Sequence, residues 1–200
     1  MREAGNIRQA ETLDIDMMGF IFYPKSPRYV DKLPVYMPSR THRTGVFVNE
    51  KKEIIERYAS HFSLNYIQLH GNESPEYCRS LQAAGFAIIK AFSIATKKEL
   101  QHIYEYEPYC RYFLFDTKCP QYGGSGNRFD WDILHDYQGK CPFLLSGGIN
   151  SDSTKALKEF SHPLLAGFDL NSRFEILPGI KDVERIKQFL IELSQPSNNE

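Results

Sequence analysis

Asp116 closes the apolar run Tyr112 to Phe115 (YFLF). A carboxylate left there without a partner is costly to ionise, so its pKa rises toward the range of a general acid. The position also suits a loop cap or an ion pair with Lys118. Arg28, in YPKSPRYV, offers a planar fork that grips a carboxylate in two places, and Lys25 is close enough to share that task. A solvated loop arginine fits the same position. His70 ends IQLH just before Gly71. It can hydrogen-bond a substrate hydroxyl or carry a proton, and the plainer reading is a satisfied histidine bracing a rim. Lys90 in IIKAF has the amine of a Schiff-base residue, but its run holds no carboxylate or second lysine to activate it.

Glycines mark a second kind of chemistry. Gly147 and Gly148 follow LLS, while Asn171 and Ser172 follow GFDL. Backbone N–H groups at two such strand ends suit a phosphate, because glycine lets the ligand approach the backbone closely. Alone, the Gly-Gly pair is better explained as a turn before a helix at Ser151; paired with the neighbouring strand end, the phosphate reading is the better one. Gln121 to Trp131 (QYGGSGNRFDW) has three glycines in four positions, yet it is neither a GxGxxG fingerprint nor a P-loop. Cys78, Cys110, Cys119 and Cys141 contain no CxxC pairing, which points to reduced structural thiols rather than a zinc site or a disulfide framework.

These residues sit at the ends of seven apolar runs that begin near Met18, Thr44, Asn65, Ala87, Tyr112, Pro142 and Ala166. Helical patterns lie between them. Lys52 to Phe62 places Ile54, Ile55, Tyr58, Ala59 and Phe62 on one face, and Ser74 to Ala84 opens on Ser-Pro-Glu and stops before Gly85. Further helices are expected over Thr96–Tyr104, Asp130–Tyr137, Ser151–Phe160 and Asp182–Leu193, whereas Pro34–Arg43 leaves room only for a turn or short helix. Such an array is the α/β pattern of a (β/α)8 TIM barrel, which places its chemistry at the carboxyl ends of the strands but needs eight of them. The chain opens instead on a helix, Glu3 to Leu13, so the expectation is a barrel whose first strand is absent from this chain. That helix would cover a gap between the Met18 and Ala166 strands. One domain is expected over residues 1–193, with 194–200 as a polar tail.

Composition narrows the class of partner. With 42% hydrophobic residues in a 200-residue chain, there is material for one well-cored domain. Twenty-four Lys and Arg against twenty-five Asp and Glu give no basic excess for a nucleic-acid face, so a small molecule is the expected ligand. No apolar run approaches the ~18 residues of a membrane span, and Met1 is followed by Arg2 and Glu3. A cytoplasmic protein, monomeric or homodimeric, is expected.

The strand ends as a set resemble one family. GFIFYPKSPRYV, GVFVNE, IQLHG, IKAF, LFDTK, YGGSGNRFDW, LSGG and GFDLNS occur in the order and spacing of the phosphoribosylanthranilate isomerases of tryptophan biosynthesis, over essentially the whole chain. The resemblance implies an Amadori rearrangement of N-(5-phosphoribosyl)anthranilate to 1-(2-carboxyphenylamino)-1-deoxyribulose 5-phosphate, with no metal or organic cofactor. It implies Asp116 as the general acid that protonates the ribose ring oxygen, and a cysteine general base that removes the C2 proton. It implies Arg28 on the anthranilate carboxylate and Gly147, Gly148, Asn171 and Ser172 around the phosphate. His70 is expected to contact substrate. Family members begin with a strand ending Lys-[Val/Ile]-Cys-Gly, immediately before the position of Met1. The cysteine is therefore missing here, and turnover is expected to be impaired. Arg173 stands where the family usually has glycine. The alternative is a pseudoenzyme that binds the phosphorylated ligand without converting it.

Overall fold

The computed structural model describes residues 1–117 and 131–196. The expected segment around Lys118, Cys119 and Gly123 to Gly126 lies outside the described residues. All seven apolar runs are strands: β1 (Met17–Ile21), β2 (His42–Phe47), β3 (Tyr66–Leu69), β4 (Ala87–Ile94), β5 (Tyr112–Thr117), β6 (Phe143–Ser146) and β7 (Leu165–Phe168). They form one parallel sheet in chain order, and β1 and β7 are its two edges. Parallel neighbours need crossovers, and the segments between them supply the outer layer.

The helices follow the sequence most closely where a cap and an apolar stripe agree. α2 (Lys52–Phe62) buries Ile55, Ala59 and Phe62, and α3 (Pro75–Ala83) starts after Ser74, whose hydroxyl accepts from the Tyr77 N–H at 3.2 Å. α5 (Val183–Ser194) is capped by Asp182 and extends one residue into the expected tail. Elsewhere the expected α-helices tighten. Lys97–His102 and Tyr104–Tyr109 are 3-10 turns, the first fixed by a Thr96–Glu99 capping box and the second interrupted by Pro108. Trp131–Asp136 is also 3-10, and Ser151–Ser153 is a 3-10 turn leading into α4 (Thr154–Glu159). No helix among the described residues is long and apolar enough to cross a membrane.

The crossover from β1 to β2 contains no helix; of the turn or short helix expected over Pro34–Arg43, the non-helical form is found, as bends up to Thr41 before β2 begins. It is held by Glu11, the buried last residue of α1 (Ala4–Glu11), which accepts from the backbone N–H of Ser39, the N–H of Arg40 at 2.6 Å and the hydroxyl of Tyr36. Arg8 lies over the Tyr36 ring, 4.6 Å from its centre. Ile7 and Ala10 of α1 pack in one cluster with Met18 and Phe20 of β1. On its other side, Asn6 exchanges two hydrogen bonds with the backbone of Lys181, at 2.7 and 2.8 Å. Lys181 belongs to a hairpin of β8 (Glu175–Leu177) and β9 (Ile180–Lys181), which the seven-run pattern did not anticipate. Its turn places Gly179 at a φ of 84°, where an L side chain is strained. α1 thus lies at the seam between the β1 edge of the sheet and the hairpin that follows the β7 edge.

Burial alone would raise the Glu11 carboxyl, but its bonds from Arg40, Tyr36 and Ser39 outweigh that and hold it below the ordinary glutamate value. Glu11→Gln should lower stability at pH 7 by about 1 to 3 kcal/mol, read from urea unfolding. The stabilisation from a depressed carboxyl is complete above its unfolded pKa of about 4.3 and is lost as pH falls through the lower folded value. The gap between the two proteins should therefore narrow in strongly acid solution.

Candidate active site

Side chains alternate between the two faces of a strand, so each strand here divides its residues between two tasks. On β5, Phe113 and Phe115 are fully buried in the outer cluster with Leu134, Phe143 and Leu145. Leu114 points the other way, into a smaller inner cluster with Ile89, Ala91 and the partly buried Tyr66, Tyr112 and Leu144. Asp116 has the parity of Leu114 and is in register with Ser93 on β4 and Ser146 on β6. It stands on the inner face, at the carboxyl end.

Its surroundings differ from the apolar, unpartnered site expected from the run before it. The Asp116 side chain is 34% exposed, and its Oδ2 lies 4.0 Å from Nε2 of His70, within ion-pair range but beyond a hydrogen bond. The Gln68 amide and His70 Nδ1 are 3.1 Å apart. If the amide donates, the ring proton rests on Nε2, facing Asp116. The histidine expected as a rim brace is thus oriented from one side and presented to the carboxylate on the other. A second carboxylate, not singled out from sequence, joins the same rim. Asp169, just after β7, accepts from the Ser146 hydroxyl at 2.9 Å. The signal for it was its parity, two residues beyond Gly167 at a strand end.

The expected phosphate segments lie at the ends of the adjacent strands β6 and β7. Gly147 and Gly148 have φ of 89° and 63°, both in the left-handed region that favours glycine. Asn171 opens the 3-10 turn Ser172–Phe174, and the Phe174 N–H returns to its carbonyl at 3.0 Å. Lys181 reaches the same place from the hairpin: its ammonium donates to the carbonyls of Leu170 and Asn171 at 3.0 and 3.1 Å and to Asn171 Oδ1 at 3.2 Å. Arg173 is exposed, and its carbonyl accepts from Arg185 at 3.0 Å.

Arg28 is neither solvated nor unoccupied. The loop after β1 folds back through bonds from Ser26 to Tyr23 and from Tyr29 to Ser26, then runs beside the strand again as Val30 donates to Ile21. Arg28 emerges from this turn and meets Glu175 of β8: Nε lies 3.0 and 2.9 Å from the two carboxylate oxygens, and Nη2 lies 2.7 Å from Oε2. Lys25 is exposed in the same loop.

Lys90 does not belong to the site. It faces the helix layer, 3% exposed, where its ammonium meets Glu73 at 3.1 Å and the carbonyls of Leu69, Gly71 and Ala91 at 3.2, 2.7 and 3.1 Å. Its carboxylate partner lies outside its own run, in the loop before α3. Cys78, Cys110 and Cys141 are free, and none lies at a strand's carboxyl end. Among the described residues no group of His, Cys, Asp and Glu could hold a metal ion.

A curled parallel sheet that gathers acids, a histidine and glycine-rich turns at its carboxyl ends defines an α/β protein of the half-barrel kind. Residues 2–192 match the family model for N-(5'phosphoribosyl)anthranilate (PRA) isomerase. The N-(5'-phosphoribosyl)anthranilate isomerase of Phocaeicola vulgatus is 53% identical over 195 residues, covering 98% of this chain and 95% of that protein. The crystal structure of phosphoribosyl anthranilate isomerase from Thermotoga maritima is similar at a TM-score of 0.83 and 33% identity, over 96% of this chain and 95% of that one. A phosphoribosyl anthranilate isomerase in complex with reduced 1-(o-carboxyphenylamino)-1-deoxyribulose 5-phosphate gives 0.79 at 30% identity, over 96% and 98%. This chain belongs to the N-(5'-phosphoribosyl)anthranilate isomerase family.

The placement of Lys90 carries its own test. Lys90→Met should destabilise the protein by about 3 to 5 kcal/mol, because it leaves Glu73 buried and unpaired. Adding Glu73→Gln should recover much of that loss in denaturant unfolding.

Proposed function

We propose that this protein is the isomerase that converts N-(5-phosphoribosyl)anthranilate to 1-(2-carboxyphenylamino)-1-deoxyribulose 5-phosphate in tryptophan biosynthesis. The observation that carries this reading is the meeting of Asp116 and His70 on the inner face of a sheet whose residues match that family from 2 to 192. Asp116 serves as general acid toward the ribose ring oxygen, and its exposure leaves the carboxyl open to substrate. His70, oriented through Gln68, contacts the substrate beside it. Gly147, Gly148, Asn171 and Ser172 receive the phosphate through backbone N–H groups, and Arg28 takes the anthranilate carboxylate. Each residue acts by proton transfer or charge complementarity.

The finer fold we infer is a (β/α)8 barrel in which residues 1–193 supply seven of the strands and the position of the first strand lies between β1 and β7. Two features support that position. α1 lies at the seam, and the α-amino group of Met1 donates to the Gly19 carbonyl on β1 at 2.7 Å, as a residue of an adjoining strand would. Burial pushes that amino group down to about 5, so it is a neutral donor at neutral pH. In this reading the general base belongs to that position, as the cysteine of a strand ending Cys-Gly.

Two measurements test these assignments. Isomerisation by the 200-residue chain should fall short of a version carrying a strand that ends Lys-Val-Cys-Gly ahead of Met1 by about 10² to 10⁴-fold, the usual worth of a general base. Equal rates would overturn the assignment of the base. In the extended version, Asp116→Asn should lower kcat by a similar factor with little change in affinity for the reduced product analogue. Separately, Gly148→Ala should weaken binding of that analogue, measured by calorimetry, and cost about 1 kcal/mol of stability through its left-handed backbone.

A further inference from the structure

Glu175 is a buried carboxylate that stands between the two expected anion sites. Its side chain is 4% exposed, although it belongs to a hairpin whose next residues, Ile176 and Leu177, are 67% and 61% exposed. On one side it holds Arg28 through Nε and Nη2. On the other, Lys181 lies 3.6 Å from its Oε1, and Lys181 in turn binds the carbonyl and side chain of Asn171. The Gly179 N–H donates to the same oxygen at 3.1 Å. Burial would raise this carboxyl, but Arg28, Lys181 and Gly179 outweigh it and hold it below the ordinary glutamate value. It is therefore ionised at neutral pH.

A guanidinium has two usable edges. Carboxylate pairing through Nε and one terminal nitrogen fixes its plane and leaves the other edge, with Nη1, facing away from the partner. Among the described residues no hydrogen bond engages Nη1, and the Arg28 side chain retains 22% exposure. Two cations, Arg28 and Lys181, thus flank the Glu175 carboxylate.

We propose that Glu175 is the positioning residue for recognition of the substrate's aromatic carboxylate: it grips Arg28 by one edge so that the other edge is presented, in a fixed plane, to the ligand. This rests on the assignment of Arg28 as the carboxylate clamp. Without Glu175 the arginine keeps its charge but loses its orientation, and the bidentate contact with the ligand loses its pre-organisation.

Two probes separate positioning from general support of the fold. One is reduced 1-(o-carboxyphenylamino)-1-deoxyribulose 5-phosphate; the other is the same molecule without its carboxyl group. Calorimetric titration of the unaltered protein should show a preference for the carboxylated probe. Glu175→Gln should lower affinity for that probe by about tenfold or more, a change of about 1.4 kcal/mol. Affinity for the other probe should stay within about twofold, so that the preference collapses. Glu175→Asp, which keeps the charge, should restore part of it, and circular dichroism of both variants should match the parent. A preference that survives in Glu175→Gln, or affinities for both probes that fall together, would overturn the positioning role. If the unaltered protein shows no preference for the carboxylated probe, the Arg28 clamp itself is wrong and the proposal falls with it.

Discussion

The bidentate pair of Arg28 and Glu175, 147 residues apart in the chain, joins parts of the molecule that the backbone ladder leaves unconnected. β1 and β7 are the sheet's edges, and neither is paired to the other. Specific polar contacts cross the seam: Arg28 pairs with Glu175, and Asn6 with the Lys181 backbone. An apolar contact would tolerate sliding of one edge past the other. A fork-to-fork ion pair does not, since both hydrogen bonds depend on one relative orientation. The hairpin of β8 and β9 is small, but it carries Glu175 and Lys181 to the only side of the sheet where the strands offer no mutual support among the described residues.

Packing and chemistry are separated by face rather than by region. Phe113 and Phe115 secure β5 to the outer layer, while Leu114 and Asp116 on the same strand face inward. Lys90 and Asp116 show the same rule with opposite results. Both are ionisable residues in apolar strands, yet Lys90 turns outward, is enclosed and is neutralised by Glu73, whereas Asp116 turns inward, is one-third exposed and faces a histidine. The charge that is buried and paired supports the scaffold, and the charge that is exposed at a strand end is available for reaction.

The seven strands were legible in the sequence because each is a short apolar run bounded by polar or glycine residues. α2 and α3 were legible because stripe, cap and stop agreed. Thr96–Tyr104 was expected as an α-helix and is 3-10 over Lys97–His102: its apolar spacing is helical, but the short turn fixed by the Thr96–Glu99 capping box favours the tighter form. The Pro178–Gly179 signal for the last hairpin was present but lay beyond the seven-run pattern. Of the candidate site, Asp116, Arg28, His70 and the expected phosphate segments were marked in the sequence by their places after the apolar runs. Their partners were not, because Glu175 for Arg28 and Glu73 for Lys90 come from other elements. Side-chain pairing across a fold leaves no periodic trace in the chain.

The two-residue repeat also determines which kinds of change these segments can absorb. Exchanging Leu114 for another apolar residue leaves Asp116 where it is. Deleting one residue between Tyr112 and Asp116 would turn the carboxylate into the phenylalanine layer and a ring into the site. The loops beyond the strands obey the opposite rule: their lengths can drift, while individual residues such as Arg28 and Gly148 cannot be exchanged freely. Descendants of such a chain should accordingly vary in the composition of their strands and in the length of their connections, keeping strand length and loop chemistry as the inherited quantities.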